Sequence, residues 1–275
     1  MAETGIKAGK GQRESSKKSL MQASVSSGSV MKGYRVCDGI ELFPGGAALM
    51  VDENALVVAD LHLGCEAALE YEGMSLPRVQ TKAIESYLVD LVSSIAPRKL
   101  IVAGDLKHNF SRNLTQEWKD VTRFVRTLTD MVRVQVVKGN HDNYLGSILR
   151  ECGIPLRREL TASGIRVLHG HSGKLDGQLT IMGHVHPSIR LRDNIGASFK
   201  DQCFLIDEGR RVLVLPALSI VAYGTDVVSQ HSSDTISPLL SDAGMRDFIP
   251  IAFSGRKPLR FPTVGELRNA SLPMS

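Results

Sequence analysis

Ala55-Leu56-Val57-Val58-Ala59-Asp60-Leu61-His62 is a run of five apolar residues that leads straight into a carboxylate and an imidazole. A short unbroken apolar run of this kind reads as a strand buried on both faces. The pattern recurs twice. Leu100-Ile101-Val102-Ala103 leads into Gly104-Asp105-Leu106-Lys107-His108, and a valine-rich strand 132–137, interrupted by Arg133 and Gln135, leads into Gly139-Asn140-His141-Asp142. Between the first two runs, Val79, Ala83, Ile84, Tyr87, Leu88, Leu91 and Val92 repeat at helical spacing, and Pro97 marks the end of that helix. Between the next two, Trp118, Val121, Phe124, Val125 and Leu128 share one helical face. Strand, helix, strand, helix, strand implies a parallel sheet, and such sheets carry their sites just past the strand ends.

Working outward, residues 39–43 and 47–51 flank a Pro44-Gly45-Gly46 turn and read as two further strands. Downstream, a short helix within 143–151 is closed by Gly153-Ile154-Pro155. Strands are then expected at 165–168, 179–182, 203–206 and 211–215, the last two flanking the hairpin turn Asp207-Glu208-Gly209. The result is an α/β chain folded as a layered sandwich, without internal repeats.

The 275 residues are 43% hydrophobic and 23% charged, which excludes disordered, collagenous and disulfide-scaffold classes. The longest apolar stretch, 212–224, is broken by Pro216 and Ser219 and is shorter than the roughly 20 residues that span a bilayer. Cys37, Cys65, Cys152 and Cys203 form no Cys-x-x-Cys pair, so a reducing, cytoplasmic setting is expected. The net charge of +4 sits in residues 1–33, where six basic groups face Glu3 and Glu14; the rest carries 27 charges of each sign. Global basicity therefore gives no reason to invoke DNA. Residues 1–33, rich in Ser, Lys and Gly, are expected to be a disordered tail without signal-peptide character, followed by one domain over 34–275.

Seven of the eight histidines fall inside five short segments. These are Asp60-Leu61-His62, the 104–108 and 139–142 segments, His169-Gly170-His171, and Gly183-His184-Val185-His186. Alone, Asp60-Leu61-His62 reads rather as a strand cap, 139–142 as a turn and His169-Gly170-His171 equally as a loop or a ligand, while Gly183-His184-Val185-His186 points to metal even in isolation; together, each beside a strand end, they read as one site. Residues two apart at a strand end converge as the chain turns, which pairs Asp60 with His62 and His184 with His186. Asp105, with two oxygens and a permissive glycine before it, suits a bridge between two cations. Mixed nitrogen and oxygen donors without thiolates favour two divalent ions such as Mn²⁺, Fe or catalytic Zn²⁺.

With these motifs in this order, the sequence resembles the calcineurin-like metallophosphoesterase superfamily. Its ordered signature is Asp-x-His, Gly-Asp, Gly-Asn-His-Asp or Glu, His, and Gly-His-x-His. The resemblance implies a four-layer α/β/β/α sandwich. It also implies that one metal takes Asp60, His62, Asp105 and His186 and the other takes Asp105, Asn140, His169 and His184, with His171 an alternative to His169. It makes His141 the proton donor to the leaving oxygen, with Asp142 orienting it, and His108 a second catalytic candidate or a hydrogen-bonding neighbour. Lys107 and Arg112 are candidate substrate-binding cations, as are Arg78, Lys138, Arg190 and Arg192, each with the competing reading of a solvated surface charge.

The stretches 57–64, 104–108, 183–187, 191–193 and 214–217 are similar to an SbcD-related, ICC-like subgroup. That subgroup includes PdeM, the phosphoesterase found beside a DNA ligase and a helicase in repair gene clusters. The expected function is therefore a Mn²⁺-dependent phosphodiesterase acting through metal-bound hydroxide, of the DNA-repair nuclease type. Two other functions compete. One is a phosphodiesterase or phosphomonoesterase of small nucleotides, which the neutral body and the lack of a visible aromatic platform favour. The other is a non-catalytic partner of a helicase or ligase.

Overall fold

The structure is a computed structural model and describes residues 31–37, 39–71, 73, 79–109, 115–192, 198–222, 224–229, 237–240 and 242–270. Most of the expected tail lies outside these residues. Met31, near its end, already packs against the helical core and donates its N–H to Ser94 Oγ at 3.2 Å.

The first sheet runs, in spatial order, β1 (Tyr34–Cys37), β2 (Ile40–Phe43), β3 (Ala47–Met50), β4 (Ala55–Val58), β5 (Lys99–Ala103), β6 (Arg133–Val137) and β7 (Leu156–Arg157). β1 to β4 pair antiparallel, and β4 to β7 are parallel. The parallel crossovers carry α1 (Cys65–Tyr71), α2 (Gln80–Ile95), α3 (Thr115–Thr129) and α4 (Leu145–Glu151). α2 stops one residue before Ala96, which adopts φ 50° and donates its N–H to Val92 O, because Pro97 cannot continue the helix.

The remaining strands are β8 (Glu159–Ala162), β9 (Ile165–Leu168), β10 (Leu179–Met182), β11 (Pro187–Arg192), β12 (Ser198–Gln202), β13 (Phe204–Asp207), β14 (Val212–Val214), β15 (Thr225–Asp226), β16 (Ile249–Ser254) and β17 (Lys257–Arg260). They form a second sheet, β17-β16-β13-β14-β10-β9-β8, and a small third sheet, β12-β11-β15. Two short helices, α5 (Asp242–Met245) and α6 (Val264–Ala270), follow.

Alternation along the strands builds the layers. Leu56, Val58, Leu100 and Val102 pack with Ile84, Leu88, Phe124 and Ile148 on the helical side of the first sheet. Val57, Ala59, Ile101 and Ala103 pack with Val167, Ile181, Phe204, Ile206 and Leu213 between the two sheets. Leu168, Met182, Leu205 and Val214 then pack outward against Met245, Phe248 and Val264. The expected four-layer α/β/β/α sandwich is the observed fold. No helix among the described residues is long and apolar enough to cross a membrane, and no disulfide joins the cysteines among the described residues.

Candidate active site

Strands β4, β5, β6, β9 and β10 all end at one edge of the sandwich, and the five segments leave from there. The first two remain paired beyond their strands. Asp60 N–H donates to Gly104 O at 3.1 Å, His62 N–H to Asp105 O at 2.9 Å and Leu63 N–H to Leu106 O at 2.9 Å. Asp60, His62, Asp105, His184 and His186 are all at positive φ, between 47° and 71°. For non-glycine residues that conformation is costly and persists only where the surroundings impose it. Gly139 is required by crowding: a Cβ there would stand 2.0 Å from Asp105 Oδ1. At Gly104, φ is +88° and a Cβ would stand 2.3 Å from His169 Nδ1.

The side chains converge. Asp60 is fully buried; its Oδ2 accepts the His184 N–H at 2.9 Å. Its Oδ1 has no hydrogen-bond partner among the described residues and stands 3.3 Å from His186 Nε2 and 3.6 Å from His169 Nδ1. Asp105 is placed centrally. Its Oδ1 accepts the His141 N–H at 2.9 Å, and its Oδ2 lies 3.3 Å from His169 Nε2 and 3.8 Å from His62 Nε2. Asn140 Oδ1 is 3.0 Å from His169 Nε2. His184 packs edge-on against His169, with ring centroids 4.9 Å apart.

His169, rather than His171, reaches Asp105 and Asn140. Its Nδ1 donates to Ala103 O at 3.0 Å, which aims Nε2 inward. Burial works against charge on His169, but the Asp105 carboxylate prevails and pushes it up to about 9. Burial would likewise raise Asp105, yet His169 and His62 hold it well below the usual carboxylate range. Burial drives His62 down to about 3, opposed by the Asp60 and Asp105 carboxylates.

This donor set fits divalent cations on three grounds. Asp60 Oδ1 is a buried acceptor with no well-formed hydrogen bond among the described residues. Two triads, Asp60/His62/His186 and Asp60/Asp105/His169, each bring ligand atoms within 4.8 Å of one another. His62 Nε2 and His186 Nε2 are 3.3 Å apart, and two nitrogens on one tetrahedral ion stand about 3.4 Å apart.

His108 and His141 stack 5.6 Å apart beside His62. His141 Nδ1 donates to His108 O at 2.7 Å. That contact corrects the expected role of Asp142 as the orienting group for His141. Asp142 is 1% exposed and accepts from the main chain of Asp105 (2.9 Å), Gly139 (2.8 Å) and Lys107 (3.3 Å). Its carboxylate ties two loops together underneath the site, where burial and the Asp105 charge push it up to about 6.

Lys107 is also displaced from its expected role as a substrate cation. It is fully buried, with its ammonium held by the Asn109 carbonyl and 3.8 Å from Glu117 Oε2. Arg112 and Arg78 lie outside the described residues. Arg190 pairs with Asp226 at 3.4 Å.

Two groups escaped the sequence reading. Gln80 bonds the carbonyl of His62, and Ser219 donates its N–H to Asp60 O at 3.0 Å. A glutamine opening an amphipathic helix and a serine after Pro216 carry no signal of burial. Only the spatial return of residues 217–219 onto the end of β4 reveals them.

A family model for calcineurin-like phosphoesterases matches residues 54–195, a span that contains all five segments. Among solved structures, the nuclease MPE of Pseudomonas putida has a similar fold, with TM-score 0.59 and 21% identity over 80% of this chain and 94% of that one. Yfce, a phosphoesterase from E. coli, overlaps at TM-score 0.37 and 16% identity, over 62% of this chain and 83% of its own. No curated protein matches by sequence. Family members work with divalent metals, and the matched span holds the clustered Asp and His side chains such ions require. The chain belongs to the calcineurin-like phosphoesterase family and is a metal-dependent phosphoesterase.

Proposed function

We propose that the enzyme is a phosphodiesterase acting on nucleic acid, with Mn²⁺ as its preferred ion. Asp60, His62, Asp105 and His186 would hold one ion, and Asp105, Asn140, His169 and His184 the other. The observation that carries this reading is the position of Asp105 Oδ2, within 3.8 Å of nitrogens from both sets. When bound, the two cations neutralise charge on a phosphoryl group and make a water nucleophilic near neutral pH.

The chain's own groups do the rest. The His108 carbonyl fixes His141 Nδ1 as a donor, which leaves Nε2 toward the substrate: in the doubly protonated imidazolium form Nε2 would be the nitrogen that gives a proton to the departing oxygen, leaving a neutral ring with its N–H on Nδ1. His108, pushed down by burial and by the neighbouring His141, suits a hydrogen-bonding role to phosphate. Asp142 and the Lys107–Glu117 pair hold the loops that present these rings.

Two exposed aromatics favour a polymeric substrate over a small nucleotide. Tyr144 is 62% exposed and follows His141 by three residues, at φ 67°. Phe199 is 48% exposed on β12, opposite Leu191 and thus toward the far end of the strand that leaves His186. Each offers a face on which a base can stack. A role beside a DNA ligase and helicase rests on the subgroup resemblance and is tested by co-purification. The substrate class is tested with Mn²⁺ on bis(p-nitrophenyl) phosphate, mononucleotides, and single-stranded and duplex DNA. Cleavage of the model diester and of DNA is expected; release of phosphate from mononucleotides with intact DNA would overturn this reading.

A further inference from the structure

Gln80 opens α2 and is only 1% exposed, and both ends of its amide are engaged. Nε2 donates to His62 O at 3.0 Å, with Leu61 O at 3.4 Å and Cys65 Sγ at 3.2 Å. Oε1 accepts from Ser219 Oγ at 2.7 Å and from Val221 N–H at 3.1 Å. Ser219 Oγ in turn accepts the Ala222 N–H at 3.2 Å. The segment it belongs to also bonds the other end of the loop: Leu218 N–H donates to Ala59 O at 2.9 Å and Ser219 N–H to Asp60 O at 3.0 Å.

The 59–62 loop is thus gripped by the start of α2 and by the segment after β14, which Gln80 and Ser219 join to each other. Gln80 is itself anchored. Glu66 Oε1 accepts the N–H groups of Val79 and Gln80 at 2.7 and 2.8 Å, satisfying donors that the helix start leaves without partners.

That loop has a reason to be gripped. Asp60 (φ 57°) and His62 (φ 47°) both sit in the left-handed region, which non-glycine residues adopt only at a cost. Relaxation of either residue would swing a carboxylate or an imidazole away from the cluster. A free loop would therefore have to be forced into this shape by the cation, at the expense of affinity.

We propose that Gln80, acting with Ser219, is a positioning residue that holds the Asp60–His62 loop in its cation-binding conformation before an ion arrives. The inference rests on the ligand assignment proposed above. Outer groups that orient ligands typically contribute 10–100-fold to metal affinity.

Calorimetric titration of Mn²⁺ into the metal-free full chain tests it, with thermal midpoints recorded in parallel. Gln80→Glu preserves shape and the acceptor facing Ser219 and Val221, but sets an oxygen against His62 O. The expected result is a Kd for Mn²⁺ about 10–100-fold weaker, with a smaller shift in the same direction for Ser219→Ala. Wild-type affinity in a folded Gln80→Glu variant overturns the inference. If that variant does not fold, Ser219→Ala decides, and a Kd within about twofold of wild type overturns it. Absence of Mn²⁺ binding by the wild-type chain would instead overturn the ligand assignment, and this inference with it.

Discussion

His62 Nε2 and His186 Nε2 face each other at 3.3 Å, although 124 residues separate them in the chain. A neutral imidazole carries one N–H and one lone pair, so two such nitrogens share a proton or a cation. Burial makes His62 a poor proton holder. Burial also opposes charge on His186, but Asp60 outweighs it and raises that ring above its ordinary value.

Cation binding should therefore stabilise the fold. Mn²⁺ at about 100 times its Kd is expected to add about 2.7 kcal/mol. Melting curves with Mn²⁺ and with a chelator measure the gain, and His186→Ala should remove most of it. Equal midpoints in both conditions for the wild-type protein would contradict the site.

His141 donates its main-chain N–H to Asp105, while its ring is held by His108 O. Removing the ring leaves the proposed ligands in place. His141→Ala should keep its metal by elemental analysis yet lose at least about a hundredfold in turnover of bis(p-nitrophenyl) phosphate. Unchanged turnover would remove His141 from the mechanism.

Asp142 should behave differently. Its carboxylate satisfies three main-chain donors beneath the site, so Asp142→Ala leaves buried N–H groups without partners. A loss of about 2–4 kcal/mol in denaturant unfolding is expected, together with weaker metal binding. A variant of native stability that had lost only activity would restore the orienting role that the sequence suggests.

Stacking on Tyr144 and Phe199 is read out by single-stranded DNA affinity. Each alanine substitution should cost about 1–3 kcal/mol, while turnover of bis(p-nitrophenyl) phosphate changes little. Unaltered DNA affinity in the double variant would leave the polymer preference without its aromatic support.

The sheet core was legible because the buried strands announce themselves: 165–168 and 179–182 coincide with β9 and β10, and the apolar or valine-rich runs before Asp60, Gly104 and Lys138 are β4, β5 and β6. The convergence of the histidines was legible for a related reason, since parallel strands end at one edge. β16 and β17 were not read, because residues 249–260 interrupt their apolar residues with Pro250, Pro258 and a Gly255-Arg256 turn. Lys107 and Asp142 were misread because a charged residue in a motif looks the same whether it faces substrate or ties loops together. Burial separates the two cases, and burial at a strand end depends on loops distant in sequence. Asp60, His62 and His186 likewise gave no sign of their positive φ, which comes from long-range main-chain bonds rather than from residue type.

The most direct measurement is a crystal grown with MnCl₂ and an anomalous difference map recorded at the manganese absorption edge. Two peaks about 3.5–4 Å apart are expected, with Asp105 between them, Asp60, His62 and His186 around one and Asn140, His169 and His184 around the other. A map without peaks at these side chains, or a single peak that Asp105 does not touch, would contradict the binuclear site.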